Sequence, residues 1–312
     1  MKVILLIPFI MLASVIVAQQ IPQYSQYMFN HFAINPALAG SKDCIDARLG
    51  YRKQWVGFDG APTTAWVSIH GAFTNKSKPY QKSKHGFGAF LETDETGPLA
   101  FTMFNVAYSY HIKLNEKWMT SFGVFIGVQQ HKLDAGQVTL TNFNDPAIDN
   151  GGSAFVVPEI WPGVLVYNDN TFYGFSIRQA LGNSIGEIGL ESKLSRHLLL
   201  NGGHRFRSRG KLAYIPSTLI KVTGGAPMAI DFNLMMEYEK VFAIGVSYRN
   251  VDAIVAMFRI SFLKFFTLGY AYDMTTSKIK VGSSNTHEII LGINACPHDN
   301  SRNKIVRCPA FE

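Results

Sequence analysis

From about residue 43 onward, large apolar residues alternate with small or polar ones, the period-two signature of strands with two unlike faces. Phe242, Ile244, Val246 and Tyr248 share one phase, while Ala243, Gly245, Ser247 and Arg249 share the other. The arrangement returns with Phe266, Leu268, Tyr270 and Tyr272 against Thr267, Gly269, Ala271 and Asp273. It appears again with Phe122, Val124, Ile126 and Val128 against Ser121, Gly123, Gly127 and Gln129. Such segments recur about fourteen times, centred near residues 49, 68, 88, 106, 124, 162, 176, 200, 217, 233, 246, 257, 269 and 290.

The connections sort by length. Leu114 to Lys117, Asn168 to Asn170, Ser208 to Lys211, Glu239-Lys240 and Leu263-Lys264 are tight, and they fall at alternate positions. Asp134 to Ser153, Gly182 to Ser192 and Thr275 to Asn285 are long and fall between them. Outer-membrane barrels have this asymmetry, with short turns at the periplasmic rim and longer loops outside. Thr74 to Lys84 would be a long periplasmic turn and Asn250 to Asp252 a short outer one, so the sorting has exceptions. An even strand number lets the sheet close, and closure satisfies every backbone amide without water. The predicted fold is an all-β transmembrane outer-membrane barrel of about 14 antiparallel strands. A soluble β-sandwich is the alternative that the same alternation allows.

Composition agrees with a wall that meets lipid. Charged residues are 16% of the chain, against about 25% in soluble domains. Tyr51, Trp55, Tyr108, Tyr110, Trp118, Tyr167, Tyr173, Tyr248, Tyr270 and Tyr272 lie near predicted strand ends, where aromatics anchor at the membrane surface. Met1-Lys2 followed by the apolar Val3 to Val17 and a small residue at Ala18 reads as a secretory leader, with Gln19 as the expected new N-terminus. No Cys follows that cut, so no lipoprotein anchor is expected there. Losing Lys2 lowers the formal charge from +7 to +6. The clusters at Lys76 to Lys84 and Arg205 to Lys211 are too diffuse for a nucleic-acid footprint and suit anionic lipid or acidic partners.

Between leader and first strand, Gln23 to Gly40 (QYSQYMFNHFAINPALAG) carries aromatics and amides without strand periodicity, and Asn35-Pro36 interrupts any helix. Such a segment either plugs the lumen or presents a periplasmic docking surface; its aromatic content argues against disorder. The expected organisation is a leader over 1–18, a periplasmic or plug segment over 19–42, the barrel over 43–296 and a periplasmic tail over 297–312. The first outward hairpin runs from Tyr51 to Pro62, with Asp59-Gly60 as its turn. Trp55 and Phe58 are expected to fold back on the barrel. Small inward residues such as Gly123, Gly127, Gly245 and Gly269 leave room for a plug or a peptide, but a barrel of this size is too narrow for a folded domain.

No catalytic, cofactor or metal constellation is apparent. His287-Glu288 lacks a second His at helical spacing, there is no Gly-x-Ser-x-Gly, and the other histidines are scattered. Enzymatic activity is not expected. In an exported chain the cysteines can form a disulfide, and Cys44, Cys296 and Cys308 allow Cys296–Cys308 or Cys44–Cys296. Partner-binding candidates are Tyr24, Tyr27, Phe29, Asn35 and Pro36 from the N-terminal segment and Arg52, Gln54, Trp55, Phe58 and Asp59 from the hairpin.

QYMFNHFAINPALAGS followed by GYRKQWVGFDGAPTTAWVSIHG resembles the N-terminal signature of the PorP/SprF family of Bacteroidetes outer-membrane proteins. Gly86-Phe87-Gly88, Asp94 to Pro98 and the closing Cys308-Pro309-Ala310-Phe311 are similar to it as well. The resemblance implies a component of the type IX secretion system, which exports adhesins, enzymes and gliding proteins. It implies as partners a secreted cargo protein with a gliding-associated type C-terminal domain and other secretion components, and it brings no catalytic residues. The expected function is a non-enzymatic barrel in the outer membrane that anchors or helps export such cargo. A porin or transporter for small or hydrophobic solutes is the alternative.

Overall fold

The computed structural model describes residues 21–42, 44–73, 83–134, 136, 154–185, 193–207, 211–250, 252–263, 265–277, 282 and 285–295. The leader and the C-terminal tail lie outside these residues. The strands are β1 (Ile45–Lys53), β2 (Thr63–Phe73), β3 (Ser83–Thr96), β4 (Leu99–Lys113), β5 (Met119–Leu133), β6 (Ala154–Tyr167), β7 (Thr171–Arg178) and β8 (His197–His204). They continue as β9 (Phe206–Arg207), β10 (Leu212–Thr223), β11 (Ala229–Tyr238), β12 (Phe242–Arg249), β13 (Ala253–Phe262), β14 (Phe266–Thr275) and β15 (Thr286–Ala295). The two residues of β9 continue β8 past Arg205, and both pieces pair with β10, so fifteen stretches make fourteen staves. Every predicted strand centre falls inside one of them.

Each stave pairs antiparallel with its chain neighbours, and β1 pairs with β15 from Ile45 opposite Ala295 to Lys53 opposite His287. The sheet is therefore closed, without a free edge. The tight connections β4–β5, β6–β7, β11–β12 and β13–β14 share one rim. Their geometry is local. Asn115 Oδ1 accepts from the amides of Lys117 and Trp118, and Asn168 Oδ1 accepts from those of Asn170 and Thr171. Glu239 and Lys240 both take left-handed φ, 51° and 62°, as a two-residue hairpin turn demands. By the rule for outer-membrane barrels this rim faces the periplasm and the other faces outside.

The alternation in sequence becomes a division between outside and inside. In β12, Phe242, Ile244, Val246 and Tyr248 are exposed, while Ala243, Ser247 and Arg249 are buried. Leu49, Val67, Phe104, Ile126, Val246 and Leu291 stand on the outer wall at 42 to 57% exposure. A continuous apolar surface of that extent belongs against hydrocarbon, not water. Tyr167 departs from the aromatic belt. It is turned fully inward, where its hydroxyl meets His111 Nδ1 at 2.9 Å.

The interior is filled by the chain's own N-terminal segment. Tyr24 to Lys42 are all buried, and they include three short 3-10 turns at Tyr27–Phe29, His31–Ala33 and Pro36–Leu38. Of the two sequence alternatives, plug and periplasmic docking surface, the fold adopts the plug. Phe29, Phe32, Ala37 and Leu38 join Phe90, Phe125, Trp161 and Leu165 of the wall in one core.

Candidate functional site

The plug is held by its backbone. It has little regular structure, so its carbonyls need partners, and inward-facing side chains of the wall supply them. Lys84 Nζ donates to Ser41 O at 2.8 Å, Ser109 Oγ to Ala39 O at 2.6 Å, Ser121 Oγ to Ala37 O at 2.6 Å and Ser176 Oγ to Ile34 O at 2.6 Å. The wall carries glycine where the plug passes closest. A Cβ on Gly86 would lie 2.0 Å from Ala39 O, and one on Gly123 would lie 2.4 Å from Ala37. Gly269 accommodates the Gln26 side chain in the same way, whereas Gly127 and Gly245 abut neighbouring strands instead of the plug.

Nearer the long-loop rim the contacts become ionic. Glu288 accepts from the backbone amides of Ser25 and Gln26 at 2.7 and 2.9 Å, and Arg52 bridges Asp273 at 2.9 Å and Glu288 at 3.2 Å. Arg178 pairs with Glu92 at 2.9 Å, and Tyr24 donates its hydroxyl to the same carboxylate. Arg249 and Lys221 flank Asp231 at the same end, while Arg205 and Arg259 flank Glu237 near the short-turn rim. Buried charges of this kind persist only when paired and hydrogen-bonded.

These contacts reassign several sequence-predicted residues. Tyr24, Tyr27, Phe29, Asn35 and Pro36 contact the barrel's own wall: Asn233 donates to the Tyr27 hydroxyl, Arg259 lies 5.3 Å from the Phe29 ring, and Asn35 caps the turn at Pro36 while donating to Val164 O. Arg52 is an internal anchor. Lys84 and Arg205, from the two basic clusters, turn inward and do not meet lipid headgroups. Phe58 stays 52% exposed with one edge of its ring against Gly282 of the β14–β15 connection, and Asp59 is beside it on the hairpin. Gln54 and Trp55 remain at the mouth.

There, Ile21 to Gln23 emerge from the plug and floor a vestibule of about 510 Å³. Trp55, Leu99, Phe101, Ile185 and Leu194 give it apolar walls, and Asp94, Lys132, Arg178, Gln179 and His197 give it polar ones. The β7–β8 connection closes one side: Ile185 and Leu194 pack on Phe155, Asn183 Nδ2 donates to Pro158 O, and Arg196 Nε donates to Ala180 O. On the opposite side, Trp55 N donates to Thr286 Oγ1 and Gly97 N to Gly60 O, tying three outer connections together. The chain thus threads the barrel from Lys42 at the periplasmic rim to Ile21 at the outer mouth.

Sequence reasoning missed the ionic anchors and the vestibule floor. The anchors had a signal: Arg52, Arg249, Asp273 and Glu288 all lie on the small or polar phase of their strands, and a charge inside a membrane span is a site by default. The floor had none, because Ile21 to Gln23 meet Arg178, Gln179 and His197 only once the plug is seated and β7 is paired with β8.

Cys44 is disulfide-bonded. Cys296 and Cys308 themselves lie outside the described residues. Among the described residues no group of three or more His, Cys, Asp and Glu is arranged to hold a metal ion.

Among solved structures, the Ralstonia pickettii toluene transporter TbuX matches with a TM-score of 0.53 at 12% identity, over 87% of this chain and 93% of that one. The Pseudomonas putida toluene transporter TodX (TM-score 0.47, 9% identity, 85% and 93% covered) and a Pseudomonas aeruginosa FadL homologue (0.44, 11%, 88% and 94%) are also similar. At these identities the likeness is one of fold. No curated protein matches the chain. The family model described as type IX secretion system membrane protein PorP/SprF matches residues 16–293, nearly the whole barrel and its plug. The chain belongs to the PorP/SprF family of type IX secretion system membrane proteins.

Proposed function

We propose that this barrel is a non-enzymatic component of type IX secretion that holds an exported cargo protein at the cell surface through the cargo's C-terminal domain. In this reading the leader is removed on export, Gln19 becomes the first residue, and the barrel sits in the outer membrane of a Bacteroidetes-like cell. One observation carries the reading: the lumen is occupied from rim to rim by Tyr24 to Lys42, whereas the outer mouth keeps a vestibule walled by long connections. A folded domain does not fit through such a barrel, so cargo crosses elsewhere and is met at the mouth. Other secretion components are the expected neighbours in the membrane.

The test is to delete residues 138–150 or 186–191 and measure surface retention of a co-expressed cargo carrying a gliding-associated type C-terminal domain. Retention is expected to fall to the level seen without the barrel. Retention unchanged by both deletions overturns the proposal. The solute-channel alternative gains something from the apolar vestibule walls and from the fold shared with the toluene transporter TbuX. Toluene uptake into liposomes that contain the barrel separates the two readings.

A further inference from the structure

We infer that the outer end of β6 is a strand-addition site, which takes an extended segment of the cargo's C-terminal domain as an added antiparallel strand. This rests on the cargo-holding reading and names how the cargo is gripped. A closed sheet lacks an edge only as far as neighbouring staves run together, and β6 outlasts β7. On one side β6 pairs with β5 along its whole length, from Tyr167 opposite Met119 to Ala154 opposite Lys132. On the other it pairs with β7 only from Tyr167 opposite Phe172 to Gly163 opposite Ser176. Beyond that, Ala180 N donates to Ile160 O at 3.2 Å and Asn183 Nδ2 to Pro158 O at 2.7 Å. Among the described residues, nothing on that side bonds the main chain of Val156 or Ala154.

Strand geometry fixes which groups are open. Main-chain groups point to alternate neighbours along a strand, so Val156 and Ala154 direct their amides and carbonyls the same way as Pro158 and Ile160. Proline is tolerated in a sheet where its missing N–H faces an unpaired side, and Pro158 lies on this phase. Gln179, at left-handed φ of 58°, follows the end of β7, and the connection it opens passes inside, where Ile185 and Leu194 pack on Phe155. Among the described residues, the place in the sheet beside Ala154 to Val157 is thereby left open, next to the vestibule that Ile185 and Leu194 line.

Level and orientation select the occupant. On β5 the outward residues Phe122, Ile126 and Val128 are apolar, whereas Gln130 and Lys132, opposite Val156 and Ala154, are polar and exposed. The open groups therefore lie above the apolar band, as they must, because hydrocarbon does not tolerate an unpaired strand edge. The occupant comes from the water outside the cell. A second copy of this chain stands the same way up in the membrane, so its β6 would approach in parallel, the less stable pairing. A strand from a surface domain has no such constraint and adds antiparallel. Its main chain exchanges hydrogen bonds with Val156 and Ala154. Its side chains alternate between the outside, beside Val156 at 58% exposure, and the vestibule side, beside Phe155.

The experiment uses the full mature chain and the co-expressed cargo carrying a gliding-associated type C-terminal domain. Val156→Pro deletes the open N–H and blocks an added strand. It spares the β5 pairing, because that N–H points away from β5 and β6 already holds Pro158 on the same phase. Surface retention is expected to fall about tenfold or more in Val156→Pro, and by less than about threefold in Val156→Thr, which keeps the N–H. Heat-resistant mobility in gels shows that both variant barrels are folded. Hydrogen exchange in detergent gives a second readout. The amides of Ala154 and Val156 are expected to exchange rapidly in the barrel alone and about tenfold or more slowly once the purified cargo domain is bound. Wild-type retention by folded Val156→Pro overturns the inference. So does exchange that the cargo domain leaves unchanged, or that is already slow in the barrel alone, as pairing with a second copy or another segment of this chain would make it. If the loop deletions still abolish retention in those cases, the cargo-holding reading stands; if they do not, both fail.

Discussion

At the scale of single residues, the interior is governed by steric room and by charge pairing. Gly123 and Gly86 face the plug at distances no side chain could share. Gly123→Val is therefore expected to push Ala37 off the wall and lower unfolding free energy by about 1–3 kcal/mol, the usual cost of overpacking. Gly224→Ala, at a position with nothing within 4 Å, leaves it unchanged. Denaturant unfolding in detergent, followed by tryptophan fluorescence, checks both. Charge pairing predicts a larger effect. Arg178→Met leaves Glu92 buried without its cation and is expected to cost about 3–5 kcal/mol, whereas replacing both partners with Met restores a large part of the loss. A double-mutant cycle on the same unfolding signal measures that difference. If the double variant is no more stable than the single one, the pair is not an isolated unit and Tyr24 has to be counted with it.

At the scale of elements, a two-faced wall and an unpatterned plug differ in how far sequence reveals them. The staves were legible because membrane on one side and packed interior on the other impose strict alternation, as Phe242 to Arg249 show residue by residue. The turns were legible for a related reason, since Asn115, Asn168 and Glu239-Lys240 carry their geometry locally. The path of the plug was not. Its anchoring bonds join residues far apart in the chain, such as Ser25 to Glu288 and Asn35 to Val164, and no period along Gln23 to Gly40 encodes them. Only its aromatic content marked it as ordered, and the choice between plug and docking surface had to await the wall around it. The vestibule was still less legible, because its lining comes from the plug and from the ends of several separate staves. The plug makes its own prediction. Deleting residues 21–40 while keeping the leader removes the occupant of the lumen and the two backbone amides that Glu288 accepts from. The barrel is expected to insert and to show steady conductance in planar bilayers where the full chain shows little. Similar current from both proteins would mean that the plug does not seal the pore.

At the scale of the whole molecule, the role of the barrel depends on which phase of each stave faces which medium, and that can be tested without reference to cargo. Val246 and Ser247 are sequence neighbours in the middle of β12, one exposed on the outer wall at 57% and the other buried at 4%. If the wall meets hydrocarbon, Val246→Arg places a guanidinium among acyl chains, at a cost of about 2–4 kcal/mol near the bilayer centre. Moving the same substitution to Tyr248, closer to the end of the stave, reduces the cost towards zero, because a long cation reaches the headgroups from there. A barrel standing in water has no such gradient: an exposed arginine costs the same at either position and improves solubility at both. Measuring unfolding of Val246→Arg and Tyr248→Arg in lipid bilayers therefore tests a depth dependence, not a single effect. A penalty that falls from Val246 to Tyr248 assigns the outer phase to lipid. The closed seam between β1 and β15 then carries that assignment around the circumference, since pairing fixes the phase of each stave relative to the next. Equal and negligible penalties would instead put water outside the wall, and the plug would then be the core of a soluble barrel.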